Sequence, residues 1–295
     1  MTSIRPYMDT IQDNHESYYD GIYEKSPVPL ERLDVVSFSY VNFEGQIKHN
    51  GELVVLDAIS EHVHTIMETL LERQFPLHMA RRIDEFHGCD DASMAANNSS
   101  AFNCRELSGQ PNNSQKPLMS LHAYGVAIDI NPIQNPFLYF ASPEDQKQGK
   151  LTVKPQASTQ LYVNRHRAQK DNLQGLVEDI VDVFFHHGLH IWGGNWNDPI
   201  DWHHFQTSRA MAHLLAVMTP QHAKEFFRIH VDCLRKHQRT FIGDMSSEMF
   251  LETSLEKLYQ TNPEKFMDIF AHNPAVMASS DIDATLTFLQ NTIHR

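Results

Sequence analysis

Two histidines and two aspartates, His122, Asp129, Asp201 and His204, fall in two compact segments, SLHAYGVAIDINP at 120–132 and WGGNWNDPIDWHHF at 192–205. Two imidazoles and one carboxylate are the protein donors of a catalytic Zn²⁺ that keeps its fourth position for water. The remaining carboxylate, Asp201, is then free to act as the base that activates this zinc-bound water. The pattern predicts a hydrolase holding one Zn²⁺ per chain, although His and Asp donors also accept other divalent metals. His203 stands beside His204, and adjacent residues on a strand point to opposite faces, so residue type alone leaves the second imidazole open between them. Asp201 and His204 would also face opposite ways on a flat strand. The chain must therefore bend near Trp202 if both are to reach one metal. Gly125, between His122 and Asp129, permits the unusual turn that lets those two converge.

Further residues carry a likeness. Ser120, His122, Gly125, Ala127 and Asp129, then Trp192, Gly193, Gly194 and Trp196, then Asp201, His204 and Phe205 occur in order. This series resembles the zinc D-alanyl-D-alanine carboxypeptidases and L-alanyl-D-glutamate endopeptidases of the VanY type, whose superfamily includes lysostaphin-like peptidases and hedgehog domains. GELVV at 51–55 and DDASMAANNSSAFNCR at 90–105 look like the same family's lead-in, so the likeness covers roughly residues 35–207. It implies His122, Asp129 and His204 as metal ligands, because the family's Asp-x-x-His spacing selects His204. It implies Asp201 as base, where many relatives use Glu, and this choice favours the endopeptidase branch. The implied substrate is a peptidoglycan stem peptide or a related D-amino-acid peptide.

Arg105 occupies the place of the family's upstream Arg. A guanidinium fork matches a carboxylate and keeps its charge, so Arg105 is expected to orient the substrate; an internal ion pair is its structural alternative. Ser100, Ser120, Tyr124, Trp192 and His203 complete the expected substrate-binding set, with Trp192 and Trp196 as an aromatic wall or as core. Two rival functions stay open: a zinc-containing binding protein of the same fold without turnover, and a peptidase redirected to a substrate outside the wall.

The chain has 295 residues, 41% hydrophobic and 21% charged, with a formal net charge of −13. That charge argues against a nucleic-acid partner, which needs a cationic face, and no apolar run is long enough to span a bilayer. The first residues lack the pattern of a secretory signal, so the expected location is the cytoplasm or outside by a non-Sec route. The 19 histidines make histidine count uninformative, and three cysteines make no disulfide framework. Free thiols are expected, with Cys89–Cys104 as the conceivable pair.

The elements that must position these groups follow from periodicity. Alternation predicts a strand at 36–43 and another at 52–56, and apolar spacing predicts a helix at 57–73. A strand is expected at 77–86, a loop at 88–117, a buried strand at 125–130, a polar insertion at 133–170 and a helix at 172–187 capped by Gly188. Strands at 189–192 and 202–205 follow, then helices around 211–218 and 226–234 and at 249–259, 263–270 and 282–293. The expected organisation is an N-terminal arm at 1–34, a zinc peptidase domain at 35–207 and an all-helical C-terminal extension at 208–295. The fold class is α+β, with a small, mostly antiparallel sheet and flanking helices.

Overall fold

The computed structural model describes residues 3–10, 25–107, 118–158, 160–165 and 173–237, and beyond these 257, 258, 261, 262 and 265. The strands β1 (Ser3–Pro6), β2 (Leu33–Val41) and β3 (Ile47–Leu56) form an antiparallel sheet in that order. Helix α1 (Ser60–Glu72) packs on it through Val63, Ile66, Met67 and Leu70, whose spacing makes one apolar stripe. Each such side chain contributes about 1.5–3 kcal/mol when fully buried, so this layer anchors the elements packed against it.

Next come β4 (Met79–Ala80), α2 (Asp90–Ala95) and β5 (Asn98–Ser99), with β4 and β5 parallel. The chain continues through β6 (Ala127–Asp129), β7 (Phe137–Tyr139), α3 (Pro143–Lys147), β8 (Thr152–Lys154), α4 (Gln160–Val163) and α5 (Val181–His186). The strands β9 (Ile191–Trp192), β10 (Ile200–Asp201) and β11 (His204–Gln206) lead into the helices α6 (Arg209–Val217) and α7 (Pro220–His237). Two further antiparallel sheets have the orders β6-β11-β9 and β10-β7-β8. The architecture is α+β as expected, with several small sheets in place of one.

The hydrophobic core runs without a break into α6 and α7, where Met211, Leu215, Phe227 and Val231 are buried. Arg32 helps to fix this junction. Its guanidinium donates to both Asp57 carboxylate oxygens at 2.7 and 2.9 Å, and to the carbonyls of Met218 and Leu215 at the end of α6. A cation there satisfies carbonyls that the helix itself leaves unpaired. Cys89 and Cys104 are free thiols.

Several elements differ from their sequence expectations, each for a tertiary reason. The strand expected at 77–86 shortens to Met79–Ala80, and Ile83–Phe86 forms a 3-10 turn. Asn98 ends the ladder, since its side chain accepts from the Arg81 N–H and donates to the Arg81 carbonyl. The helix expected at 172–187 shrinks to Val181–His186 after a 3-10 turn at Val177–Asp179. Here the Asn135 side chain takes the Gly175 carbonyl and the Val177 N–H, groups that a continuing helix would use. Within the loop expected at 88–117 lie α2 and β5, while 108–117 falls outside the described residues. The expected insertion at 133–170 contains the β7–β8 pair, and the segment read as an arm contributes β1. The helices expected at 249–259, 263–270 and 282–293 fall almost entirely outside the described residues.

Candidate metal centre

His122 sits on a 3-10 turn, Leu121–Tyr124, whose first N–H groups are capped by the Ser120 hydroxyl at 3.3 Å from the His122 nitrogen. Gly125 ends the turn at φ +68°, where a Cβ would lie 2.6 Å from the Leu56 backbone nitrogen. Glycine is therefore needed twice over, for the left-handed backbone and for the close approach to β3. Asp129 closes β6, and its backbone exchanges hydrogen bonds with Ser100 at 2.8 and 3.0 Å. The antiparallel register sets His204, first residue of β11, directly opposite Asp129.

These placements bring three donors together. His122 Nε2 lies 3.2 Å from Asp129 Oδ2, His204 Nδ1 lies 2.9 Å from Asp129 Oδ1, and the two ring nitrogens are 3.1 Å apart. All three residues are buried, and one donor atom from each falls within 4.8 Å of the others. The outer nitrogens are committed elsewhere. His122 Nδ1 donates to the Ala101 carbonyl at 2.6 Å, and His204 Nε2 donates to Gln206 Oε1 at 2.7 Å. Carbonyl oxygens only accept, so when the two rings are neutral the facing nitrogens, His122 Nε2 and His204 Nδ1, carry the lone pairs. Two imidazole nitrogens and a carboxylate aimed at one point can hold a cation, and the donor set suits zinc.

The electrostatics agree. Burial opposes ionisation of Asp129, yet the imidazoles of His122 and His203 hold its carboxyl well below the usual range. Burial also opposes a charge on His204, but Asp129 lifts that imidazole to about 9. A proton and a metal ion thus compete for the same point, and metal affinity falls as the pH is lowered.

Asp201 reaches this region by the bend expected near Trp202. It belongs to β10, paired with β7, whereas His204 belongs to β11, paired with β6, and the chain turns at Trp202 and His203 between them. The Trp-Gly-Gly segment braces the bend. The Trp192 indole donates to the Trp202 carbonyl at 2.8 Å, and a Cβ on Gly193 would lie 2.5 Å from the Asp201 carbonyl oxygen and 2.9 Å from Asp201 Cβ. Gly193→Ala is therefore expected to push Asp201 aside while leaving the three-donor cluster intact. We expect turnover to fall about 100-fold, the scale of a 1 Å misplacement at a reacting centre, with bound metal unchanged by elemental analysis. Metal loss in parallel with activity would contradict this role for Gly193.

Burial pushes the Asp201 carboxyl above its ordinary value, opposed by the nearby His203 and His204. His203 donates from Nδ1 to the Asn135 carbonyl at 2.7 Å, and its Nε2 lies 3.0 Å from Asp201 Oδ1 and 3.8 Å from Asp129 Oδ2. It stands beside the three-donor cluster and is not one of its members.

A cleft of about 380 Å³ opens over these groups, with Arg105, Ser120, Trp196, Asp201, His203 and His204 among its lining residues. Arg105 lines this cleft and pairs there with Asp90 at 3.2 Å, the ion pair expected as its structural alternative. Ser100, Tyr124 and Trp192 are absent from the lining among the described residues. Ser100 serves Asp129 through its backbone, the Tyr124 hydroxyl lies 3.3 Å from His213 Nε2, and Trp192 stacks on Phe205. Gln206 is a site residue that sequence reasoning missed, although its place two residues after His204 puts both on one strand face. The Ala101 and Asn135 carbonyls left no local signal at all.

No curated protein and no solved structure matches the chain. The likeness read over 35–207 is supported by comparison in its second half, and Arg105 lies upstream of that part. The family model described as D-alanyl-D-alanine carboxypeptidase matches residues 113–207, the span that carries His122, Asp129, Asp201 and His204.

Proposed function

We propose that this protein is a zinc peptidase that hydrolyses peptidoglycan stem peptides, at either the D-Ala–D-Ala bond or the L-Ala–D-Glu bond. The observation that carries the reading is the cluster of His122, Asp129 and His204, with both outer ring nitrogens committed to carbonyl acceptors and Asp201 set beside it. In this reading those three residues hold the ion, which when bound supplies Lewis acidity to the scissile carbonyl and to a water. Asp201 takes the proton of the attacking water at a carboxylate oxygen and delivers it to the leaving nitrogen. The C–O bond forms as the C–N bond breaks. Burial of Asp201 supports this role, because a raised proton affinity suits a group that must accept and then release one proton. Arg105 orients a substrate carboxylate, and Ser120 and His203 offer polar contacts along the cleft. An Asp at position 201 in the cleft favours turnover over a purely binding role.

The direct test is mass-spectrometric analysis of purified muropeptides after incubation with the zinc-loaded protein. Loss of a terminal D-Ala identifies a carboxypeptidase, and a cut after L-Ala identifies an endopeptidase. Intact muropeptides in the presence of stoichiometric zinc would exclude a wall-peptide substrate.

A further inference from the structure

The sheet β10-β7-β8 contributes residues of all three strands to the cleft lining. Its register places Asp201 opposite Phe137 and Phe137 opposite Lys154, so the three form one row across three strands. Directly opposed residues share a face, and all three line the cleft. Neighbouring strands lie about 4.8 Å apart, which sets Lys154 about 10 Å from Asp201 with Phe137 as the floor between them. Helix α2 supplies Asp91 to the same lining, and its Oδ1 accepts from Lys154 Nζ at 2.8 Å. A second ion pair, Arg105–Asp90, also lines the cleft, and there Asp90 is also held by Asn103 Nδ2 at 3.3 Å.

The two pairs differ in how readily they open. The side chains of Lys154 and Asp91 are 38% and 69% exposed. Such a pair contributes about 0–1 kcal/mol, so a ligand that offers both charges can replace it at little cost. A ligand with an ammonium and a carboxylate on the same carbon exchanges partner for partner, the ammonium to Asp91 and the carboxylate to Lys154. An ammonium alone leaves Lys154 without its counter-charge inside the cleft.

We propose that Lys154 and Asp91 form a subsite for a free amino-acid head group, ammonium and carboxylate on one carbon, carried by a substrate side chain about 10 Å from the bond beside Asp201. This rests on the peptidase reading and names the substrate class within it: stem peptides whose third residue is a diamino-dicarboxylic acid with its distal end uncrosslinked. In an extended peptide each residue advances about 3.5 Å, so one or two residues plus a side chain cover the span.

The test compares two soluble stem tetrapeptides and two pentapeptides, identical except for diaminopimelate or lysine at the third position. For the wild type we expect kcat/KM about tenfold higher on the diaminopimelate peptides, the scale of one charge-assisted contact. Lys154→Met should erase the preference and Lys154→Arg should restore most of it, which separates charge recognition from loss of packing. Equal kcat/KM on the two peptides, or a preference that survives Lys154→Met, would overturn the subsite. Calorimetric binding to the zinc-loaded Asp201→Asn variant reads the same preference without turnover. If the wild type cuts no peptide yet binding still favours diaminopimelate in a Lys154-dependent way, the subsite stands and the peptidase reading falls. Equal binding of both peptides overturns the subsite, whatever the activity.

Discussion

Asp201→Asn is expected to lower kcat on a stem peptide about 1000-fold while leaving one zinc ion per chain, within the range of 10²–10⁴ for loss of a positioned general base. The substitution keeps the shape of the side chain, so the close packing space that Gly193 leaves for Asp201 is unchanged. It removes the carboxylate that the proposed mechanism uses to take a proton, a group whose burial makes it readier to accept one. Asp201 is outside the three-donor cluster, so metal content measured by elemental analysis should not change. The split between metal content and turnover is the informative readout. A variant that loses zinc together with activity would move Asp201 into the ligand set, and a variant with wild-type kcat would remove it from the chemistry.

Stripping the metal should abolish activity and also reduce stability. His122, Asp129 and His204 come from a 3-10 turn and two different strands, so an ion bound by all three cross-links the fold and has no equivalent site in the unfolded chain. At free zinc 1000 times the dissociation constant, linkage gives about 4 kcal/mol of added stability. A chelator should therefore lower the melting temperature clearly, and zinc should restore it together with activity. Gln206→Ala tests the supporting layer. It removes the acceptor that commits His204 Nε2 as a donor, and loss of such a partner typically weakens metal binding 10–100-fold. Zinc titration of the apo-protein with a competing chelator measures this directly. Unchanged affinity would mean that the β11 backbone alone holds the ring of His204. The stabilisation by zinc should also shrink as the pH falls through about 9 and below, since His204 then binds a proton that the metal must displace.

Much of the site was legible in the chain, and the reason is chemical. Metal donors must be of certain types, and with His122 close to Asp129 in sequence and Asp201 close to His204, the one strand pair that sets His204 opposite Asp129 joins the two segments. The bend between Asp201 and His204 also followed from the strand geometry, since without it the two residues face apart. The helical stripe of α1 was equally readable, because a 3.6-residue period is a local property.

What the sequence could not show depends on side chains that reach distant backbone. Asn135 delays the start of α5, and Asn98 stops the strand at Ala80, by taking backbone hydrogen bonds 40 to 42 and 17 residues away, respectively. Trp192 carries the look of a cleft wall but packs on Phe205, while Trp196, four residues on, lines the cleft. The row Asp201–Phe137–Lys154 exists only once three strands are in register. Residue type and short-range spacing determined which groups could do chemistry, since those are properties of the chain itself. Which nitrogen faces the three-donor cluster, which aromatic faces the cleft and which charges meet across it were decided by cross-strand register and long-range hydrogen bonds, which exist only in the folded molecule.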